Sequence, residues 1–366
     1  MQKLILSFFL ITLSFSEAYS LSQWLPLYSI PIFIAFFYRY YVPKIFLVFL
    51  FLLIIPLLLQ LLFNYNFKSF NYFLFYLVVF FIYPVGILNL IESVDFNFFK
   101  KLIVFSFYFT SVFVIIEFCL NVLGFHIQDY IIRERETTAT LSTFYRSFGF
   151  SSEPGSLSYY LNSLGPLSIL FSKKKNVTYI LYSMAILFTF SPVGILVWLI
   201  YTFFYQKKFI NRYSLFIGIT ILLSVYYKFQ SEIQLISEAL TWKLSGNGTS
   251  VTERIDSYSY FLNAVKSNIL GFGLGNVTSI GMQSPKNFFL FAFYEVGILG
   301  LIVLILPIVY IIFYKKNKFK LFFILSLLHL LFISQVQYPY TIFLFVFIYF
   351  LINNKQLSSD IDKITT

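Results

Sequence analysis

Apolar residues along this chain come in long unbroken blocks rather than in alternation. "IFLVFLFLLIIPLLLQLLF" (45–63) is representative, and short polar stretches such as "RYYVPK" and "SKKK" separate one block from the next. About 20 consecutive apolar residues are what a helix needs to cross the ~30 Å hydrocarbon core of a bilayer. Windows of that length predict twelve spans, at roughly 4–20, 24–40, 45–63, 72–91, 102–124, 156–172, 177–190, 192–206, 213–228, 287–314, 321–337 and 338–352. The stretch "YILYSMAILFTFSPVGILVWLIYTFF" is too long for one untilted span and short for two. Ser191-Pro192 is a natural break within it, so it reads as a tight helical hairpin.

Two long polar intervals remain, 126–155 and 229–286. The second has a pattern of its own. "SEIQLISEALTWKL" carries Ile233, Ile236, Leu240 and Leu244 at helical spacing with Trp242 beside them, an amphipathic helix suited to the membrane interface. A second helix is predicted from Ser250, where Ser250-x-x-Glu253 forms a capping box. Its apolar stripe is Ile255, Tyr258, Leu262, Val265 and Ile269, and Gly271 ends it. Arg254 then lies in the first turn, one helical turn from Tyr258. There is no internal repeat and no separate soluble domain. The predicted fold class is all-α, a polytopic integral membrane protein with one transmembrane domain over 1–366 and a large external loop holding short helices.

Composition agrees. Of the 366 residues, 59% are hydrophobic, 23% aromatic and 11% charged, with mean hydropathy +0.82. A soluble domain carries about 25% charged residues. The net charge of +11 sits in short clusters between apolar blocks, the distribution of topogenic signals rather than of a nucleic-acid stripe. With the N-terminus inside, seventeen of the 26 Lys and Arg fall on inner segments and nine outside, although the outside has both long loops. Omitting the Ser191-Pro192 break would put "KKK" and "QKK" on opposite sides. Both termini are therefore expected in the cytoplasm, and both long loops at the periplasm or cell exterior. The first twenty residues also resemble a signal peptide, but "SEAYS" is a poor cleavage site, which favours a retained first helix.

Candidate chemistry is limited. The single cysteine, Cys119, excludes a disulfide within one chain, and two histidines without a cysteine cluster argue against zinc or haem. There is no outward Asp-x-Asp to hold a divalent metal on a sugar nucleotide, and no ATP outside the cell. No metal and no cofactor are expected. Gly271, Gly273 and Gly275 do not form a dinucleotide fingerprint, because no strand precedes them. They read either as a turn returning the chain to the membrane or as a backbone N–H concavity for an anion such as a lipid pyrophosphate. Arg133, Arg135 and Lys243 are most simply read as lipid-headgroup or solvent contacts. Arg146 and Arg254, each near a membrane re-entry and flanked by aromatics, suit phosphate better, since the guanidinium makes two parallel hydrogen bonds. Glu153, before Pro154-Gly155, reads either as a helix-start acid or as a general base at the bilayer surface. Glu117 and Glu295 are acids within apolar spans, and read either as functional groups or as interhelical hydrogen-bond acceptors for Tyr or Ser.

"RSFGFSSEPGSLSYYL" resembles the Arg–aromatic–Gly–aromatic–Glu-Pro segment of the O-antigen polymerase and ligase superfamily. "TFSPVGILVWL" is similar to that family's Thr-x-Ser helical hairpin. "TERIDSYSYFLNAVKSNILGFGLGN" is similar to its external Arg-bearing helix with a Gly-x-Gly-x-Gly end, and "PKNFFLFAFYEVGILGLI" to the segment that follows. The likeness covers about 140–305; elsewhere it rests on hydropathy.

The resemblance implies a GT-C-like, metal-independent membrane glycosyltransferase in the bacterial cytoplasmic (inner) membrane. Its substrate would be an undecaprenyl-pyrophosphate-linked oligosaccharide, and it would work beside a flippase and a chain-length regulator in the bilayer, with no nucleic acid. By position, Arg146 and Arg254 would hold the pyrophosphate and Glu153 would act as base. Lys286, Asn287, Tyr258, Phe150 and the three glycines would line the substrate site. Ligases of the superfamily place a His where this chain has Pro285-Lys286-Asn287, which favours a Wzy-type repeat-unit polymerase for O-antigen or capsule. A ligase and a lipid-linked-oligosaccharide flippase are the alternatives.

Overall fold

A computed structural model describes residues 1–15, 20–22, 25–38, 41–63, 67–125, 140–141, 144–145, 147, 149–151, 154–205, 258–264, 266–276, 287–313, 324–325, 327–329 and 339–353. Within them lie α1 (Gln2–Thr12), α2 (Ser29–Tyr38), α3 (Lys44–Phe63), α4 (Phe67–Leu77), α5 (Tyr83–Glu92), α6 (Phe96–Val122), α7 (Pro154–Phe171), α8 (Lys175–Phe188), α9 (Pro192–Tyr205), α10 (Phe288–Phe313) and α11 (Pro339–Asn353). Two short antiparallel ladders join β1 (Ser20–Ser22) to β2 (Leu25–Pro26) and β3 (Thr140–Leu141) to β4 (Phe144–Tyr145). Four described helices are long and apolar enough to cross a membrane: Lys44–Phe63, Phe67–Glu92, Phe96–Val122 and Phe288–Tyr310. On α3 the exposed residues Val48, Phe51, Ile55 and Leu62 line one face, an arrangement water would not tolerate and lipid requires. The chain is an α-helical membrane protein.

Each predicted span contains a described helix, except 213–228, which lies outside the described residues, and 321–337, of which only 324–325 and 327–329 are described. The first two spans are shorter than expected. α1 stops at Thr12, where Ser14 Oγ turns back onto the Ile11 carbonyl at 2.8 Å, and α2 has only ten residues. The hydropathy window runs on because it averages over the serines at 14, 16, 20 and 22.

Local chemistry explains the boundaries. Asp95 caps α6, its carboxylate accepting from the Asn97 and Phe98 amides at 2.9 and 3.2 Å. The helix ends in a Schellman turn at Gly124 (φ 83°), with the Phe125 amide donating to the Leu120 carbonyl and the Gly124 amide to that of Asn121. Between α4 and α5 the backbone widens into a π-helical turn, Val78–Ile82. Pro84 follows directly; its ring would strike the carbonyl four residues back, and the wider turn removes that clash.

α7 is the hub. All but three of its eighteen residues are buried, and two of its polar side chains, Tyr160 and Asn162, join it to neighbouring helices. Tyr160 bonds Ser106 Oγ of α6 at 2.9 Å, and Ser106 donates onward to the Leu10 carbonyl of α1 at 2.6 Å. Asn162 donates to the Gly194 carbonyl at 3.0 Å and lies 3.1 Å from His329 Nε2, while its oxygen accepts from Tyr182. The His329 ring stacks on Tyr159, centroids 4.6 Å apart. In hydrocarbon, such groups must find partners within the protein.

α8 and α9 are separate and antiparallel, their chain breaking at Phe190 (φ 47°) and Ser191. Trp198 Nε1 donates to Ser183 at 3.1 Å and Tyr179 to Thr202 at 3.0 Å, pairs that run in opposite order along the two helices.

The helices sort the loops into two ends. At one, Lys3 Nζ sits 5.2 Å from the Phe98 ring, Lys100 lies over Phe96, and Phe96 packs on Phe171 and Phe350. Lys101 and Lys173 to Lys175 belong to the same end. At the other, far down α1, α3 and α6, lie Ser14, Gln60 and Glu117, against which two glycine turns pack.

Candidate functional site: two glycine turns at one end of the bundle

The first turn lies in "RSFGFSSEP", of which 147, 149–151 and Pro154 are described. Its Gly149 takes φ 58°, and its amide donates to Glu117 Oε2 at 2.8 Å. Glu117 is fully buried on α6. The Ser147 amide donates to the Phe188 carbonyl at 3.2 Å, and Ser151 Oγ to the Ser14 carbonyl at 3.0 Å. Ser147, Gly149 and Ser151 thus tie the turn to the end of α8, to α6 and to the segment after α1. Phe150 lies over Phe113 and Phe109, centroids 4.1 and 5.5 Å away.

The second turn, 268–276, follows helical residues 258–264 and 266–267. Asn268 organises it: its Nδ2 donates to the Gly271 carbonyl at 2.7 Å and its Oδ1 accepts from the Leu270 amide at 3.1 Å. Gly271, Gly273 and Gly275 all have positive φ, of 90°, 100° and 74°.

The turn is spliced into a broken helix. In an unbroken α10 the Ile298 amide would donate to the Tyr294 carbonyl. Instead Ile298 donates to the Ile269 carbonyl at 3.0 Å, and the Tyr294 carbonyl accepts from the Phe272 amide at 2.7 Å. The turn supplies both partners that the break leaves open, as backbone at membrane depth requires. The break is at Gly297, whose φ of 67° with ψ of −172° is a region open in practice only to glycine. Two residues before it, Glu295 is fully buried. Its Oε1 accepts the Gly275 amide at 3.1 Å and its Oε2 the Tyr76 hydroxyl at 2.9 Å. Gln60 donates to the Leu270 carbonyl and Ser69 to that of Leu274, so α3 and α4 complete the seat.

Of the predicted site residues, Arg146, Glu153, Arg254 and Lys286 lie outside the described residues, as do the interfacial helix and the Ser250–Glu253 box. Asn287 is the cap of α10, its Oδ1 accepting from the Phe289 and Leu290 amides at 2.9 and 3.1 Å. Tyr258 is half-buried at the start of the described helical residues. Of the apolar stripe, Leu262 and Ile269 are exposed, whereas Phe261, outside it, is buried. Phe261 packs against Tyr294, which stacks in turn on Phe272. Contact with broken α10, not the helical period, selects the buried face. The glycine amides at 271 and 275, which would have to line an anion concavity, donate to the Asn268 carbonyl and the Glu295 carboxylate.

Sequence reasoning does not reach Tyr76, Gln60 or Gly297. The available signal was Glu295-x-Gly297 inside an apolar block, an acid and a helix breaker two residues apart.

No protein-family model matches this chain, and no curated protein matches it.

Proposed function

We propose that this protein is a repeat-unit polymerase acting on undecaprenyl-pyrophosphate-linked oligosaccharides at the outer face of a bacterial cytoplasmic membrane. In this reading the described helices belong to a twelve-span, GT-C-like bundle with both termini in the cytoplasm. The lysine end is then cytoplasmic, and the end with the glycine turns faces the periplasm or exterior.

One observation carries the reading. The two segments that resemble the polymerase motifs, around 147–151 and 268–276, are far apart in sequence, yet both seat at the end of the bundle opposite the lysines. Motif segments brought to one face, away from ATP, suit an enzyme whose donor arrives already activated.

A sugar hydroxyl of the incoming unit attacks the anomeric carbon of the growing chain. The new glycosidic C–O bond forms as the bond from that carbon to the phosphate oxygen breaks, and polyprenyl pyrophosphate leaves. Glu153 takes the hydroxyl proton. Arg146 and Arg254 neutralise the charge that develops on the leaving group, usually the largest catalytic contribution in such sites. Lys286 assists the two arginines, and Tyr258 and Phe150 position sugars.

A surface-glycan ladder from a strain lacking this gene, with extraction of its lipid-linked intermediates, tests the reading. Single repeat units on the final anchor are expected. Long chains held on the polyprenyl lipid would instead identify a ligase, and single units trapped inside the cell a flippase.

A further inference from the structure

We infer that Glu117 and Glu295 are a matched pair of positioning residues, each a buried carboxylate that seats one glycine turn of the outer face through a backbone amide. The functional consequence rests on the polymerase reading; the seating itself does not.

The two sites share their construction. Each glutamate is fully buried on a long helix that reads as a span, and each reaches a turn from another part of the chain. Each accepts the amide of a glycine with positive φ, Gly149 at 2.8 Å and Gly275 at 3.1 Å. Around each glycine the space is closed: a Cβ on Gly149 would lie 3.2 Å from Leu157 and Val114, and one on Gly275 only 2.7 Å from Tyr72. The turns therefore fit only when fully seated, and the seated amide needs an acceptor. Other amides of the two turns reach helix carbonyls at Phe188 and Tyr294, but these two glycine amides take a side-chain acceptor. Glutamate has the reach and the two oxygens, and at 295 both are used, the second accepting from Tyr76.

An intramembrane acid more often marks a proton or ion path. Here the contacts are those of a seat. Gly149 lies three residues after Arg146, and Gly275 lies in the same long loop as Arg254. Fixing these amides tethers both candidate phosphate-binding segments to the bundle.

Cysteine protection in intact membranes tests this. In a Cys119→Ser background, Ser147→Cys and Leu274→Cys report the two turns, since both positions are fully buried. Neither reporter is expected to react with a membrane-impermeant maleimide in the parent. Glu295→Ala should raise labelling at 274 at least tenfold and leave 147 unchanged; Glu117→Ala should do the reverse. Tyr76→Phe, a milder change that keeps the fold, should raise labelling at 274 a few-fold. Glu117→Gln and Glu295→Gln keep an acceptor oxygen, so both reporters should stay protected and the glycan ladder should stay long. Protection that survives the alanine and phenylalanine changes overturns the inference. So does a glutamine variant that abolishes the ladder while its turn stays protected, because charge or a proton would then be the requirement. Turns that come free while the ladder stays long would support the seats and count against the polymerase reading.

Discussion

Gly271 and Gly297 meet backbone to backbone, and neither position has room for a side chain. A Cβ on Gly271 would lie 2.6 Å from the Gly297 nitrogen, and one on Gly297 would lie 2.2 Å from the Leu270 carbonyl oxygen. Twenty-six residues separate them in sequence, and their contact allows an outer loop to complete the hydrogen bonding of a membrane helix.

Gly297→Ala is expected to destabilise the protein more than an alanine at an exposed position of the same helix. The φ/ψ cost alone is about 1–3 kcal/mol, and the clash with Leu270 adds to it. Leu299→Ala, at an exposed position of the same helix, is the control. Thermal unfolding in detergent should show a clearly lower midpoint for Gly297→Ala than for Leu299→Ala.

Asn162→Leu removes the one side chain that joins the Tyr182 hydroxyl, the Gly194 carbonyl and His329. Leucine matches the volume but leaves buried polar groups without partners, at about 1–3 kcal/mol. The expected result is a less stable protein with looser packing of α8 and α9 on α7, read as faster proteolysis near 189–191. Unchanged stability would mean the network contributes nothing net.

Asn287→Ala should cost about 1 kcal/mol, the usual loss for a helix cap, while Asn287→Asp or Asn287→Ser should cost little. If activity instead falls by orders of magnitude in all three, Asn287 has a role at the substrate beyond its cap.

Arg146→Ala and Arg254→Ala should each lower polymerisation on the order of 10²–10³-fold under the proposed function, with insertion unchanged. Lysine at either position keeps the charge but not the paired hydrogen bonds, so it should restore only part of the rate. Full activity in both alanine variants would remove the pyrophosphate clamp.

Much of the architecture was legible because membrane helices announce themselves by length. The break at Ser191-Pro192 could be read from proline geometry, and the structure separates α8 from α9 there. The site was less legible, for a physical reason. Glu117 and Glu295 stand out in the sequence as acids in apolar spans, but nothing local names the glycine amide that each accepts. The helical period puts Leu262 in an apolar stripe but does not show the buried contact, which is Phe261 on Tyr294. Gly271, Gly273 and Gly275 could be recognised as a turn, but their partner is a carboxylate twenty residues further on, and no local pattern connects Gly275 to Glu295.

The splice also limits how this protein can be recombined. Donor groups from one segment and acceptors from the other are interleaved across 269–272 and 294–298. An outer loop grafted from another protein would therefore fit only if it carried its own broken helix with it. The unit that can be exchanged is loop and helix together, with a boundary inside α10 after Ile298 rather than at the membrane surface.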